Sequence, residues 1–342
     1  MTEDQIFDDF SCCPYFCAVA NGTTALFLAL QCLNLTNRKV LLPRNACMNV
    51  AIAVKEAGCR PVFIDIDTDT LDFNHQQLRE HLDDAAGIIL IHNFGFHPQL
   101  ETIELIQSRD ISVIEDRCLN YFLDCQYKDY LKPPDAIIIS TGGGKPIETY
   151  NGGRIFLREK SLFKKVCDAN HALPCISDAS FSNIKTLSKR HTVFYNKHFP
   201  DLGWGSILAS AITKYASSFI FDYRPRQITE DQYLSAKLEL EQKNKIYTKV
   251  RNMLCEEDGL TIPAVTRFDR PWKIIGFIQN GEAIATELRR LGFNASSWHH
   301  DLGYFWRGVK IKPDFERSIL NLDIVNYDPV ELKTIRKVLC TC

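Results

Sequence analysis

VLLPR (from Val40), PVFIDID (from Pro61), GIILIHNFG (from Gly87), ISVIEDRC (from Ile111), DAIIIST (from Asp135) and GGRIFL (from Gly152) are the runs that decide the fold. They are short, rich in β-branched residues and apolar throughout, the pattern of strands covered on both faces. Between them stand segments with apolar residues at helical spacing, such as NVAIAVKEAG, stopped by Gly58, and FNHQQLREHL. Strand and helix in alternation predict an α/β fold with a largely parallel sheet flanked by helices.

After about residue 160 the rhythm changes to helices and irregular connections. A long helical pattern then runs from about Glu230 to Glu257, with Tyr233, Leu240, Tyr247 and Leu254 on one stripe that is expected to pack on a neighbouring domain. The tail reads strand (KIIGFIQ), helix (EAIATELRRLG), strand (SILNLD) and helix, the last opened by Asp328 as N-cap with Pro329 in its first turn. The expected organisation is a large domain over residues 1–225 and a smaller C-terminal α+β domain over 226–342, without a Pro/Gly/Ser-rich linker between them.

The 40 basic and 42 acidic residues of the 342 nearly cancel, which argues against nucleic acid or an anionic membrane as a partner. The segment MTEDQIFDDF lacks the cationic and apolar regions of a signal peptide, and no stretch approaches the length of a membrane span, so the expected location is the cytoplasm. Thirteen cysteines, an odd number without a CxxC pair, are expected to be mostly buried, reduced thiols, and no metal site is expected.

Four stretches could carry chemistry. Asn21-Gly22-Thr23-Thr24-Ala25-Leu26 opens an apolar helix with hydroxyl and small residues, and free N–H groups at a helix start bind phosphate. Thr and Asn are also favoured simply as helix caps. Val113-Ile114-Glu115-Asp116 ends a strand in two carboxylates, where an acid can hold a cationic nitrogen. Ser140-Thr141-Gly142-Gly143-Gly144-Lys145 is followed by Pro146 where a nucleotide-triphosphate loop needs Ser or Thr, so that chemistry is rejected. A lysine presented by glycines at a sheet edge suits bonding to an aldehyde instead. The glycines of Asn151-Gly152-Gly153-Arg154-Ile155-Phe156 allow close backbone approach. A pyridine cofactor with an aldehyde and a phosphate needs a lysine, a carboxylate and hydroxyls at a helix start, and Thr23, Asp116, Ser140 and Lys145 supply them in that order.

The sequence resembles the DegT/StrS-type, fold type I pyridoxal-phosphate enzymes, best known as nucleotide-sugar aminotransferases. The resemblance lies in NGTTALFLAL, the LLP strand followed by AIAVKEAGCRPVFIDIDTDTLDF, IHNFG, VIED, and a serine five residues before a lysine followed by NGGRIF. It implies that Lys145 bonds pyridoxal 5'-phosphate and acts as the acid and base. It further implies that Asp116 holds the ring nitrogen and that Thr23 and Ser140 bind the phosphate, assisted by the backbone of Gly22 or Thr24. By position Cys47 stands where the family stacks an aromatic ring on the cofactor, Cys118 falls on the opposite face, and Leu119 replaces a His or Gln. The family's active sites lie at a homodimer interface, where a partner Asn within an N-Y-R segment reaches the phosphate. The corresponding segment here is Phe221-Asp222-Tyr223-Arg224, with Asp222 in place of that Asn. His92, His299 and His300 are expected to contact substrate.

The activity implied is transfer of an amino group from an amino acid, Glu or Gln, to a keto-sugar. A lyase or dehydrase using the same lysine, and a noncatalytic homologue altered at Cys47, Leu119 and Asp222, are the alternatives.

Overall fold

Each of the six apolar runs is a strand in the computed structural model, which describes residues 10–121, 132–149, 151–198, 210–211, 214–215, 219–222, 226–254, 259–266, 269–297, 301–307 and 318–341. These are β2 (Lys39–Pro43), β3 (Arg60–Ile64), β4 (Gly87–Ile91), β5 (Ser112–Asp116), β6 (Ala136–Ser140) and β7 (Gly153–Leu157). A further strand, β1 (Tyr15–Val19), apolar at all five positions, borders the sheet and was not among the runs expected to be strands. The sheet order is β1-β7-β6-β5-β4-β2-β3. Strands β2 to β6 run parallel, whereas β7 is antiparallel to both β6 and β1. Consequently the carboxyl ends of β1, β4, β5 and β6 open on one edge of the sheet, and the order reverses between β2 and β4, where open α/β sheets bind ligands.

Helix α1 (Gly22–Cys32) follows β1 directly and is buried from Thr23 to Leu30, so it forms part of the core instead of covering it. Its cap is Asn21, whose Oδ1 accepts from the Thr24 N–H at 2.8 Å. Alongside α2 (Met48–Glu56) and α5 (Lys160–His171), α1 packs on one face of the sheet, and α3 (His75–Leu82) and α4 (Leu100–Gln107) supply the other layer.

Helix α6 (Asp178–His198) is followed by α7 (Glu230–Leu254), whose stripe is buried along its length. Tyr233, Ala236 and Leu240 pack with Ile137, Ile139 and Phe156 of the large sheet, while Tyr247, Val250 and Leu254 join the core of a second sheet. That sheet is antiparallel, with β10 (Ile319–Leu322) between β8 (Ile274–Phe277) and β9 (Ala295–Ser296). It is covered by α8 (Gly281–Arg290) and α10 (Pro329–Thr341), the short α9 (Leu302–Arg307) packing instead on α2. Asp328 Oδ1 accepts from the Val330 and Glu331 N–H groups while the Glu331 carboxylate accepts from Asp328 N–H, a reciprocal cap that starts α10 where the sequence places it.

Among the described residues no disulfide forms. The expectation of mostly buried thiols is corrected: Cys13, Cys17 and Cys59 are buried, Cys12, Cys32, Cys47, Cys118 and Cys167 are half-buried, and Cys175 and Cys340 are exposed. Cysteine is small enough to sit at the margin of a core, so composition does not place it inside. No group of three His, Cys, Asp or Glu among the described residues could hold a metal ion, and no helix among them is long and apolar enough to cross a membrane.

Candidate active site

A cavity of about 290 Å³ opens at the shared strand edge and brings together Gly22, Thr23, Cys47, His92, Asp116, Cys118, Leu119, Ser140 and Lys145. Each arrives from a separate connection, and the register explains their convergence. Ile91 pairs with Asp116, Asp116 with Ile138, and Ser140 with Gly153, which itself faces Val19. Residues just past these pairs therefore share one rim.

The start of α1 approaches β6 closely because Gly22 has no side chain: a Cβ there would stand 2.8 Å from Ser140 Cβ. Gly153 plays the complementary part, since its Cβ would meet the Asn21 carbonyl oxygen at 2.3 Å. Thr23 and the Ser140 hydroxyl consequently face the same space at a helix N-terminus, a place suited to an anion. Thr24 does not line the cavity. It is fully buried, its N–H donates to the capping Asn21 Oδ1, and its hydroxyl donates to the Phe219 carbonyl at 3.3 Å, so both polar groups are already used.

Asp116 is 7% exposed, and its Oδ1 accepts from the Cys118 N–H at 2.9 Å, which leaves carboxylate oxygen for a cationic ligand. Lys145 follows a glycine run with Gly144 at φ +75°, and the Trp272 indole N–H donates to the Gly144 carbonyl at 3.1 Å. Lys145 is half-buried and is the one lysine or arginine lining the cavity among the described residues. Burial raises the thiol pKa values of Cys47 and Cys118; Lys145 partly offsets both, whereas Asp116 adds to them.

Beneath this floor lies a buried chain of charge. His92 Nε2 is 2.7 Å from Glu115 Oε1, and Arg117 is 3.0 Å from the same oxygen, all three side chains being fully buried. Burial alone would raise the Glu115 pKa, but Arg117 and His92 bring it down to about 2. Burial lowers the pKa of His92, so a neutral ring donates from Nε2 to the carboxylate; Nδ1 is buried without a partner, and the residue lines the cavity.

His299 and His300 lie outside the described residues, as do Tyr223 and Arg224. Asp222 accepts from Asn170 Nδ2 at 3.3 Å and bridges to Cys175, contacts within its own chain. Trp272 carries no local signal in the sequence and reaches Gly144 across 128 residues, and Asn151, noticed in the sequence only beside its glycines, lines the cavity.

Against known proteins, the chain is 30% identical over 155 residues to the GDP-perosamine synthase of Escherichia coli O157:H7, covering 44% of this chain and 42% of that protein. It is 28% identical over 113 residues to the GDP-4-keto-6-deoxy-D-mannose 3-dehydratase of Escherichia coli O55:H7, covering 30% and 29%. The chain thus spans less than half the length of these curated relatives. A solved DegT DnrJ EryC1 StrS aminotransferase from Brucella abortus superposes with a TM-score of 0.65 at 18% identity, covering 99% of this chain and 89% of that one, which establishes a shared fold. Residues 4–193, more than half of the sequence, match the model of the DegT/DnrJ/EryC1/StrS aminotransferase family, and the chain belongs to that family.

Proposed function

We propose that this chain is a pyridoxal 5'-phosphate-dependent aminotransferase that moves an amino group from an amino-acid donor, glutamate, to a keto-sugar carried on a nucleotide. The observation that carries the reading is the convergence of one lysine, one buried carboxylate and a helix start with two hydroxyls on a single cavity. The donor set fits the cofactor. Lys145 suits its aldehyde, Asp116 its ring nitrogen, and Thr23, Ser140 and the first N–H groups of α1 its phosphate, while the half-buried thiols of Cys47 and Cys118 leave room for a flat ring. Bound there, pyridoxal phosphate would supply an electron-accepting ring conjugated to the substrate nitrogen.

The chain's own residues divide the remaining work. Asp116 keeps a positive charge on the ring nitrogen by pairing with it in a site largely closed to water. Lys145 Nζ would take the proton from the substrate carbon and return it two atoms away, across the intervening nitrogen, a task that requires a single amine within reach of both carbons. The bond from Trp272 to Gly144 holds the loop that aims this amine. His92, with Nε2 committed to Glu115, offers Nδ1 as an acceptor to a substrate donor. The nucleotide-sugar reading is supported by the relatives' names, and a cytoplasmic homodimer, a division near residue 225 and substrate contacts from His299 and His300 belong to the same proposal.

The test uses the purified chain with pyridoxal phosphate. Borohydride is expected to trap an adduct at Lys145 that is absent from Lys145→Ala, and glutamate alone is expected to shift the visible absorbance and release 2-oxoglutarate. A colourless protein without a trapped adduct overturns the cofactor reading. Loss of sugar oxygen without gain of an amine assigns the dehydratase chemistry named for one relative.

A further inference from the structure

One polar group on the cavity wall is left without a partner by everything described so far. Asn151 is 6% exposed, and its Nδ2 is buried without a hydrogen bond. A buried amide left without a hydrogen bond is costly, and native folds retain few of them. Asn151 lines the cavity together with Asn21, Gly22, Thr23 and Ser140.

The sheet places this amide. Gly153, two residues later, pairs with Ser140 on one side and Val19 on the other. The Thr141 N–H donates to the Gly152 carbonyl at 2.9 Å, so the ladder continues one step past the strand. Asn151 therefore leaves the sheet between the end of β6, which carries Ser140, and the segment entering α1.

The nearby side chains of Asn21, Thr24 and Arg154 are already engaged. Asn21 uses Oδ1 on the Thr24 N–H and Nδ2 on the Phe219 carbonyl at 3.0 Å. Thr24 is used as well, and the nearby Arg154 points its guanidinium at Thr141 and the Arg226 carbonyl. No arginine lines the cavity among the described residues, and its one lysine is needed by an aldehyde. An anion at this corner would thus be met by neutral donors and the α1 N-terminus, with an unused amide beside them.

We propose that Asn151 is a phosphate-binding residue, its Nδ2 donating to an oxygen of a phosphate monoester seated at the start of α1. This rests on the cofactor reading above and adds to it a donor that makes the site selective for the phosphorylated form of the cofactor.

The experiment measures equilibrium binding of pyridoxal 5'-phosphate, and of pyridoxal without phosphate, to the full chain freed of cofactor. Asn151→Asp keeps the shape but turns the donor into a carboxylate facing a dianion. It is expected to weaken pyridoxal phosphate at least tenfold and pyridoxal less than twofold, and Asn151→Ala is expected to weaken the phosphate form about three- to tenfold with the same selectivity. If Asn151→Asp fails to fold by circular dichroism, Asn151→Ala decides, together with competition by inorganic phosphate, which should weaken by the same factor. Unchanged affinity for the phosphate form in a folded variant, or an equal loss for both ligands, overturns the role of Asn151 alone. A wild-type chain that binds neither ligand overturns the cofactor reading as well.

Discussion

Replacing Glu115 by Gln removes one charge from the centre of the His92–Glu115–Arg117 chain while keeping its shape. The three side chains are fully buried, so Arg117 would be left beside a neutral amide with no solvent to screen it. Burial alone would raise the Glu115 pKa, but its partners bring it from 4.5 to about 2, which at about 1.4 kcal/mol per tenfold change in acidity corresponds to roughly 3 kcal/mol. Breaking a buried pair by removing one partner independently costs about 3–5 kcal/mol. The two figures agree, and Glu115→Gln is expected to destabilise the fold by about 3–5 kcal/mol at pH 7. The sign with pH follows from the lowered folded-state value. The carboxylate's contribution is complete above about pH 5 and is lost as pH falls toward 2, because the unfolded chain takes up the proton first. The gap between wild type and variant should therefore narrow to roughly half by pH 3. Urea unfolding of both proteins at pH 7, 5 and 3 measures it. A gap under about 1 kcal/mol at pH 7, or one that stays constant down to pH 3, refutes the assignment of Glu115 as the buried anion that joins His92 to Arg117.

Gly22→Ala places a Cβ 2.8 Å from Ser140 Cβ, which must push the start of α1 away from β6. The expected cost is about 1–3 kcal/mol of stability and a tenfold loss of pyridoxal phosphate affinity, and unaltered affinity in a folded variant would show that this approach does not shape the site. Trp272→Phe removes the donor to the Gly144 carbonyl, worth about 0.5–1.5 kcal/mol, so amide exchange of the 142–145 loop should speed up several-fold by mass spectrometry; an unchanged rate rejects the anchor. With a thiol reagent at pH 8, the exposed Cys175 and Cys340 should label first, whereas Cys118, whose pKa burial raises well above 9, should lag at least tenfold; equal rates contradict its closed setting.

The two sheets were unequally legible. Six strands of the large sheet stood out because a sheet covered on both faces demands uninterrupted apolar residues; β1 is as apolar (YFCAV) but stands alone before the alternating pattern begins, and the two-residue β9 is too short to announce itself. The stripe on α7 was visible as helical spacing, but its sharing between two cores was not, since periodicity reports that a face is buried and not against what. The cysteines show the same limit: their number was plain, and their half-buried positions were not.

For the site, the order of residue types along the chain was enough to single out Thr23, Asp116, Ser140 and Lys145, because a parallel α/β sheet delivers every strand's carboxyl end to one rim. Which polar groups remain available there was decided only by packing. Thr23 and Thr24 are adjacent and identical in type, yet one faces the cavity and the other is used up by the cap of α1 and the Phe219 carbonyl. Glu115 and Asp116 are likewise adjacent, and the pleat sends one to the buried Arg117 and the other to the cavity. Sequence alone determined the fold class and the inventory of reactive groups, since both follow from local periodicity and residue chemistry. The tertiary structure alone decided that Trp272 steadies the loop of Lys145, that His92 keeps one nitrogen free and that Asn151 keeps its amide unpaired. Hydrogen bonds between residues far apart in the chain leave no trace in the order of amino acids, because a donor looks the same whether or not its acceptor is present.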